Sequence, residues 1–547
     1  MTYQATTDWR QAGPPTAGFA PGVVFTKPWV VDLILDLAGY TPEADLCSQM
    51  AIEPAVGHGV FLAAMARRLV ASAKEYGADL SRATGAILGY DIDPRAVAVS
   101  REVVETVLVS EGLTRATAAR LSRAWVRCDD FLLADHKGLS AGWVLGNPPY
   151  VRPEDLDLGL LNRYRRMWSA MSGRADLYVG FLQAGLGVLA SGGRLGVICP
   201  DRWMRNQYGA NLRSIVQAEY SVDSCIVMHE VNAFEDKVSA YPAVTVLSRA
   251  KQGAAFVCDA GPSFDEAAAR RVVTAWRRGP GPAASDPAAR VSWTTGWFTG
   301  PGSWPDTNPD RLGILTQLEA SFPSLEDAGV QLSVGVATGA DDVYITDTPA
   351  TVEPDRLIKV LGGRETSSGA IQWAGRYLVN PWDEAGLVHL SDWPGLARYL
   401  RRHASRVKAR HVARCHPKQW WRTIDRVHPD ITTKPKLLIP DLKDRIFPVL
   451  DKGEYYPGHS LYYITSDTWD LEVLGGLLIS DIAAMFVEAY SVRMANGYLR
   501  VSAQYLRRVR VPDPSSLTAE LAESLRAAFR ERDVAAANAL ARVAYGV

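Results

Sequence analysis

From residue 23 to about residue 250, short apolar runs alternate with amphipathic stretches. The runs SQMAIEPA, AILGYDID, AGWVLGNPP, GRLGVICP, DSCIVMHE and AVTVLSR read as buried strands, and apolar positions between them recur at helical spacing. Val30, Leu33, Ile34 and Leu37 make one helical stripe after Pro28, which suits a first turn, and Gly39 is placed to end it. Leu62, Met65 and Leu69 make another. Strands alternating with helices predict an α/β fold built on a parallel, doubly wound sheet.

The periodicity stops over residues 277–310, RRGPGPAASDPAARVSWTTGWFTGPGSWPDTNPD, which are rich in Gly, Pro and Ser and read as a linker or surface connection. A second region follows, with strand-like pieces KPKLLIPDL and SLYYITSD and one helix over WDLEVLGGLLISDIAAMFVEAYS. The expected organisation is an arm over 1–22, a first domain over 23–276, the connection over 277–310, a second domain over 311–514 and a helical tail over 515–547.

At 547 residues the chain can bury two or three cores. Its formal net charge of -1 hides an imbalance: residues 401–445 carry thirteen Lys or Arg against four Asp. That stretch is either a solvated basic helical face or a surface that follows phosphates. The start lacks a basic region followed by an apolar core, and no run of eighteen apolar residues occurs, so a cytoplasmic protein without a membrane partner is expected. Six scattered cysteines show neither disulfide nor zinc-ribbon spacing and are expected to be reduced and buried. His411, Cys415, His416 and His428 fit no common zinc spacing, and no metal is expected.

The run VLGNPPY ends in two prolines, which supply no backbone N–H, so the chain must leave the sheet just past Asn147. One reading is a plain turn. The other uses its position, because ligands gather at the carboxyl ends of strands in open α/β sheets. Upstream, EPAVGHGVF sets an acid, Glu53, and two glycines, Gly57 and Gly59, between a strand and a helix that starts near Phe61. The glycines permit a tight turn and close backbone approach, although the segment is not GxGxxG. GYDIDP ends the next strand with Asp91 and Ile92, where an acid can accept hydrogen bonds from a ribose. CDDF places Asp130 and Phe131 after a third strand; they suit an adenine, or else a turn and a core position.

The ordered series FTKP, EPAVGHGVF, GYDIDP, CDDF, NPPY, RADLYVGF, SGGRLGVICPDRW and AFEDKVSAYPAVTVL resembles the gamma-class, TaqI-like N6-adenine DNA methyltransferases that use S-adenosyl-L-methionine. The resemblance spans residues 23–247 and continues more thinly in VGVATGADDVYI and in residues 434–514. It implies a Rossmann-like class I methyltransferase domain with a seven-stranded, mostly parallel sheet, followed by a mixed α/β TaqI-like target-recognition domain. Residue by residue, it implies that Thr26, Glu53, Pro54 and Ala55 line the methionine end of the cofactor, with Gly57, Gly59 and Phe61 beside them. Asp91 and Ile92 would hold the ribose side, Asp130 and Phe131 the adenine, and Asn147, Pro148, Pro149 and Tyr150 the reacting base, with Phe234 facing that base from another side. Relatives of this type often carry a Cys in the EPA turn where this chain has Val56.

The implied partner is double-stranded DNA with a flipped-out adenine, at a cost of a few kcal/mol for unstacking. Any cleavage would then belong to a separate restriction endonuclease or defence-system subunit. In the second region Lys418, Trp420, Trp421, Arg422, Lys434 and Lys436 suit phosphate contact and groove insertion, or else two core tryptophans beside solvated cations. NPPY also occurs in methyltransferases of RNA guanine N2 and of protein glutamine amides, and a non-catalytic DNA-binding subunit could keep the same fold.

Overall fold

The apolar runs become strands β1 (Met50–Glu53), β2 (Ile87–Asp91), β3 (Val126–Cys128), β4 (Ala141–Gly146), β5 (Leu189–Pro200), β6 (Ser221–Val227) and β7 (Pro242–Ser248) in a computed structural model. The structure describes residues 24–236, 241–281, 285–296, 298–305, 308–443, 445–491 and 499–547. The arm expected over 1–22 and residues 237–240 of the AFEDKVSAYPAVTVL stretch lie outside the described residues. The chain divides into two compact units between Pro309 and Asp310.

In the first unit the strands lie in the order β3-β2-β1-β4-β5-β7-β6. β3, β2, β1, β4 and β5 are parallel neighbours, and β7 runs antiparallel between β5 and β6. All six residues of β4 are buried, which is why its sequence is continuously apolar rather than alternating. Helix α1 (Pro28–Leu37) buries the stripe Val30, Leu33, Ile34 and Leu37, each contributing roughly 1.5–3 kcal/mol relative to exposure. Helix α2 (Val60–Tyr76) buries Leu62, Met65 and Leu69 after the glycine turn. Helix α3 (Pro94–Ser110) is capped by Asp93, whose side chain accepts from the Arg95 N–H.

The sheet does not stop at seven strands. Among the described residues β8 (Ala255–Ala260), β9 (Ser285–Asp286) and β10 (Ala289–Thr294) extend it beyond β6 to ten. The segment expected to be a linker therefore belongs partly to the first unit. β10 pairs antiparallel with β8 and covers the edge that β8 would otherwise leave open, burying Ala289 and Val291 while Arg290 faces out. Farther along, the Trp304 ring packs edge-on against Trp203 at 5.5 Å, anchoring this segment on the same unit.

The second unit is mixed α/β. Strands β11 (Val330–Val334), β12 (Ile345–Thr346), β13 (Leu357–Leu361), β14 (Tyr377–Val379), β15 (Lys436–Pro440), β16 (Leu442–Lys443), β17 (Val449–Asp451), β18 (Tyr456–Pro457), β19 (Leu461–Ser466) and β20 (Leu499–Arg500) form small sheets in the orders β11-β19-β15-β17, β12-β14-β13-β18 and β16-β20. The single helix expected over residues 469–491 is broken. Leu471–Leu478 and Asp481–Tyr490 are separate helices with a 63° bend, because Ser480 caps the second through its hydroxyl to the Ala483 N–H. No single described helix is long and apolar enough to cross a membrane.

The last thirty-odd residues form helices Ala519–Glu531 and Val534–Tyr545. They are part of this unit rather than an appendage: a Cβ on Gly475 would lie 2.5 Å from the Phe529 ring, so the helices meet at glycine. Of the cysteines, Cys199, Cys225 and Cys258 are buried as expected, Cys47 is half-buried, and Cys128 and Cys415 are exposed, all six with free thiols.

Candidate active site

Because β1 to β4 run parallel, their carboxyl ends share one edge of the sheet, and that edge collects Glu53, Asp91, Asp130 and Asn147. Register makes this concrete: Glu53 pairs with Gly89, two residues before Asp91, and Asp91 pairs with Cys128. The glycine turn is fitted to its place. Gly59 has φ 80°, and a Cβ there would sit 3.1 Å from the Ser100 backbone of α3. Gly57 has φ 49° with open space where a side chain would project, and its N–H donates to Asp91 Oδ2 at 2.9 Å. Asp91 Oδ1 accepts from the Asp93 N–H, also at 2.9 Å.

Glu53 is 1% exposed, and its Oε2 has no hydrogen-bond partner among the described residues. Burial, and then the nearby Asp91 charge, push its carboxyl well above the usual carboxylate range. Burial likewise raises Asp91. Both acids are therefore disposed to hold a proton in the free protein, and a cation beside them would favour their ionised forms. Ile92, immediately after Asp91, is 65% exposed, which offers a flat apolar surface beside the carboxylate.

The rings of two aromatic residues assigned to the cofactor are packed in the core. Phe131 is 1% exposed, stacked on Phe181 at 5.9 Å and edge-on to Tyr90 at 5.3 Å. Phe61, on the inner face of α2, is also 1% exposed. Both are core residues, since each lies on the apolar side of its turn. Asp130 is already engaged: Oδ1 accepts from the Leu132 N–H, and Oδ2 accepts from the Tyr164 hydroxyl at 2.8 Å. Pro54 is buried and Ala55 half-buried at the rim of the glycine turn.

Asn147 follows β4 directly. Its Nδ2 donates to the Val24 carbonyl and to Thr26 Oγ1, both at 3.0 Å. The amide is thereby oriented, and the buried Oδ1 has no partner among the described residues. Thr26 is 2% exposed and forms an isolated antiparallel bridge with Phe234, while the Lys27 N–H donates to the Ala233 carbonyl. One short extended segment thus ties the Asn-Pro-Pro-Tyr elbow to the loop that carries Phe234. Pro148 is buried and Pro149 half-buried, as a chain leaving the sheet requires.

Tyr150 is half-buried. Its hydroxyl donates to the Ile198 carbonyl at 3.1 Å, and its ring is met edge-on by Tyr178 at 6.3 Å and by Phe234 at 6.4 Å, both at 78°. Those contacts fix the ring plane from two sides. Nothing in the sequence marks Tyr178 out within the RADLYVGF stretch. A second residue that sequence reasoning does not single out is Asp201, buried after β5, which accepts from Arg205 and from His229 Nε2 at 2.7 Å. Against the opposing effect of burial, the Arg205 guanidinium and the hydrogen bond from His229 hold its carboxyl well below the usual range. Its signal was the CPDRWMR run, whose charges follow an apolar strand.

The basic segment of the second unit sorts differently from expectation. Lys436 is 0% exposed and pairs with buried Asp451 at 2.7 Å while donating to the carbonyls of Ile431, Thr432 and Lys434. It is structural and cannot meet DNA, because its ammonium is spent inside the fold. Lys434 is exposed and paired with Asp430, and Lys418 is exposed. Trp420 and Trp421 are half-buried against a core that includes Val343, Tyr344 and Leu396, and Trp421 Nε1 donates to the Val388 carbonyl. Arg422 lies over the Trp382 ring at 5.5 Å.

A sheet of this order with antiparallel β7, and with acids closing β1 and β2 and Asn-Pro-Pro-Tyr closing β4, defines a Rossmann-like class I methyltransferase. Residues 140–234 match the Eco57I restriction-modification methylase family, and residues 358–511 match the TaqI-like C-terminal specificity domain. The chain is 40% identical to the type II methyltransferase M.XhoI of Xanthomonas vasicola, with 96% of this chain and 97% of that protein covered. It is 38% identical to M.PaeR7I of Pseudomonas aeruginosa, covering 96% and 92%. The fold is shared with the type IIL restriction-modification enzyme MmeI, solved in complex with DNA, at a TM-score of 0.58 and 12% identity over 95% of this chain and 73% of that one. The protein belongs to the type II DNA methyltransferases of restriction–modification systems.

Proposed function

We propose that this protein transfers a methyl group from S-adenosyl-L-methionine to N6 of an adenine flipped out of duplex DNA, as the modification partner of a separate restriction endonuclease. The observation that carries the reading is the Asn147 amide, whose nitrogen is held by Val24 and Thr26 and whose oxygen is a buried acceptor without a donor.

The residues fit the cofactor. The orphaned Glu53 Oε2 calls for a donor, and a methionine ammonium supplies a charged one; Asp91 and Ile92 suit a ribose and the face of a base. Bound there, the cofactor supplies an electrophilic methyl group. The rest falls to the chain. An exocyclic adenine amino group is a poor nucleophile because its lone pair is delocalised into the ring. Asn147 Oδ1 and the Pro148 carbonyl each accept one N6–H, drawing the nitrogen toward tetrahedral geometry and localising that pair; as the methyl–sulfur bond gives way to the methyl–nitrogen bond, the nitrogen would become cationic and would release one of those protons past the same acceptors to solvent. Orientation of this kind can contribute about 7–11 kcal/mol, so no strong base is needed. Tyr150 stacks on the base and returns roughly 1–3 kcal/mol of the unstacking cost. The Phe234 ring closes the other side.

Expression in a methylation-free host, followed by single-molecule sequencing, tests the reading. The expected result is N6-methyladenine at one short motif, lost in Asn147→Ala. Modified cytosine, or no modified base from protein that binds the cofactor, contradicts it.

A further inference from the structure

In the second unit the loop from Trp420 to Arg426 presents an exposed apolar side chain from an unusually fixed backbone. Ile424 is 50% exposed. A single exposed isoleucine is ordinary by itself. Its setting is what matters. Buried Arg410 donates to the carbonyls of Trp420 at 3.0 Å, Arg422 at 2.9 Å and Thr338 at 2.6 Å. The Tyr344 hydroxyl donates to the Trp421 carbonyl at 2.5 Å. Trp382 Nε1 donates to Thr423 Oγ1 at 2.7 Å. Just past Ile424, the Asp425 N–H donates to the Ala337 carbonyl at 3.1 Å, and Asp425 Oδ2 accepts from the Ala337 N–H at 2.8 Å.

One side of Ile424 rests on Gly339, where φ is +77° and a Cβ would come within 2.9 Å of Ile424 Cδ1. Its other side faces solvent, and the neighbouring sequence is mostly cationic, with exposed Asp425 the one acid between Arg422 and Arg426. Arg422 and Arg426, two residues to either side, both lie against the Trp382 ring at 5.5 and 6.0 Å. Lys408, Arg414 and Lys418 in the preceding helices are exposed. An apolar tip on a rigid loop with this charge suits a polyanion whose interior offers apolar contact. In duplex DNA the phosphates carry the charge, and the thymine methyl is the apolar feature of the major-groove base edges. A loop already fixed also avoids most of the ordering cost of binding.

We propose that the Trp420–Arg426 loop reads base pairs of duplex DNA, with Ile424 in contact with a thymine methyl group. The inference rests on the DNA-methylation reading above. The test uses the full-length protein and a duplex carrying its own mapped motif, in which each thymine is replaced in turn by uracil, removing only the methyl group. At one position the wild type is expected to lose about fourfold in kcat/KM, the value of burying one methyl-sized group. Ile424→Ala is expected to lose a similar factor on the thymine duplex and to be indifferent to uracil at that position, with its dependence on salt unchanged. Ile424→Val retains the discrimination. A wild type indifferent to uracil at every position, or an Ile424→Ala enzyme that discriminates as the wild type does, overturns the inference. A wild type that methylates no DNA overturns instead the reading on which it rests.

Discussion

Asn147 Nδ2 donates a hydrogen bond of 3.0 Å to Thr26 Oγ1 across a sequence separation of 121 residues. With the Val24 carbonyl as its second acceptor, this bond fixes the amide nitrogen and leaves the buried oxygen as the end without a partner among the described residues. Thr26→Val keeps the buried shape and removes that acceptor. Loss of one hydrogen bond is worth about 1 kcal/mol, so kcat is expected to fall about fivefold while the melting temperature stays within a few degrees. Steady-state kinetics beside thermal unfolding check this; an unchanged kcat removes Thr26 from the orienting role.

Glu53 carries a pH signature. Its folded pKa is raised, so the ionised form is disfavoured in the free protein, and stability present at low pH is lost as pH rises through that raised value. Glu53→Gln has no charge to bury. The variant is therefore expected to gain in melting temperature relative to the wild type as pH rises, by about 2–4 °C per kcal/mol relieved. Added S-adenosylmethionine is expected to reverse the order, with affinity for the variant lower by about tenfold or more. Thermal shifts across a pH series, with and without cofactor, report both effects.

Tyr150 separates two roles. Its ring is held by Tyr178 and Phe234, and its hydroxyl reaches the Ile198 carbonyl. Tyr150→Phe keeps the ring and is expected to retain activity within about fivefold, since the lost bond is worth about 1 kcal/mol or less. Tyr150→Ala loses the stacking face, and kcat/KM on duplex DNA is expected to fall by about 5–150-fold. Similar losses in both variants point to the hydroxyl instead.

Lys436 and Lys434, two residues apart, are expected to behave as opposites. Lys436→Met leaves Asp451 buried without its cation and is expected to cost about 3–5 kcal/mol in the stability of the second unit. Lys434→Ala removes an exposed, ion-paired charge and is expected to leave stability within about 1 kcal/mol. Denaturant unfolding of the two variants tests the contrast.

The strand ends were legible because their chemistry is local: Glu53, Asp91 and Asn147 each close an apolar run, and parallel topology brings such ends together. What stayed hidden depends on distant residues. Lys436 reads as a surface cation until β17 places Asp451 beside it. Phe61 and Phe131 follow the turns that carry the acids, yet their rings face the core. Strand β10 has the alternation of a half-buried strand in ARVSWT, but the surrounding Gly and Pro masked it. The break at Ser480 was visible only as a capping residue inside an otherwise apolar helix.

The central claim is that the free oxygen of Asn147 aims an adenine amino group, and nucleoside mass spectrometry tests it most directly. Purified protein, duplex DNA and cofactor labelled in its methyl group are incubated, and the DNA is digested to nucleosides. The expected result is label in N6-methyldeoxyadenosine alone, and none from an Asn147→Ala variant that still binds cofactor. Label in a methylated cytosine, or undiminished label from the variant, would contradict the account.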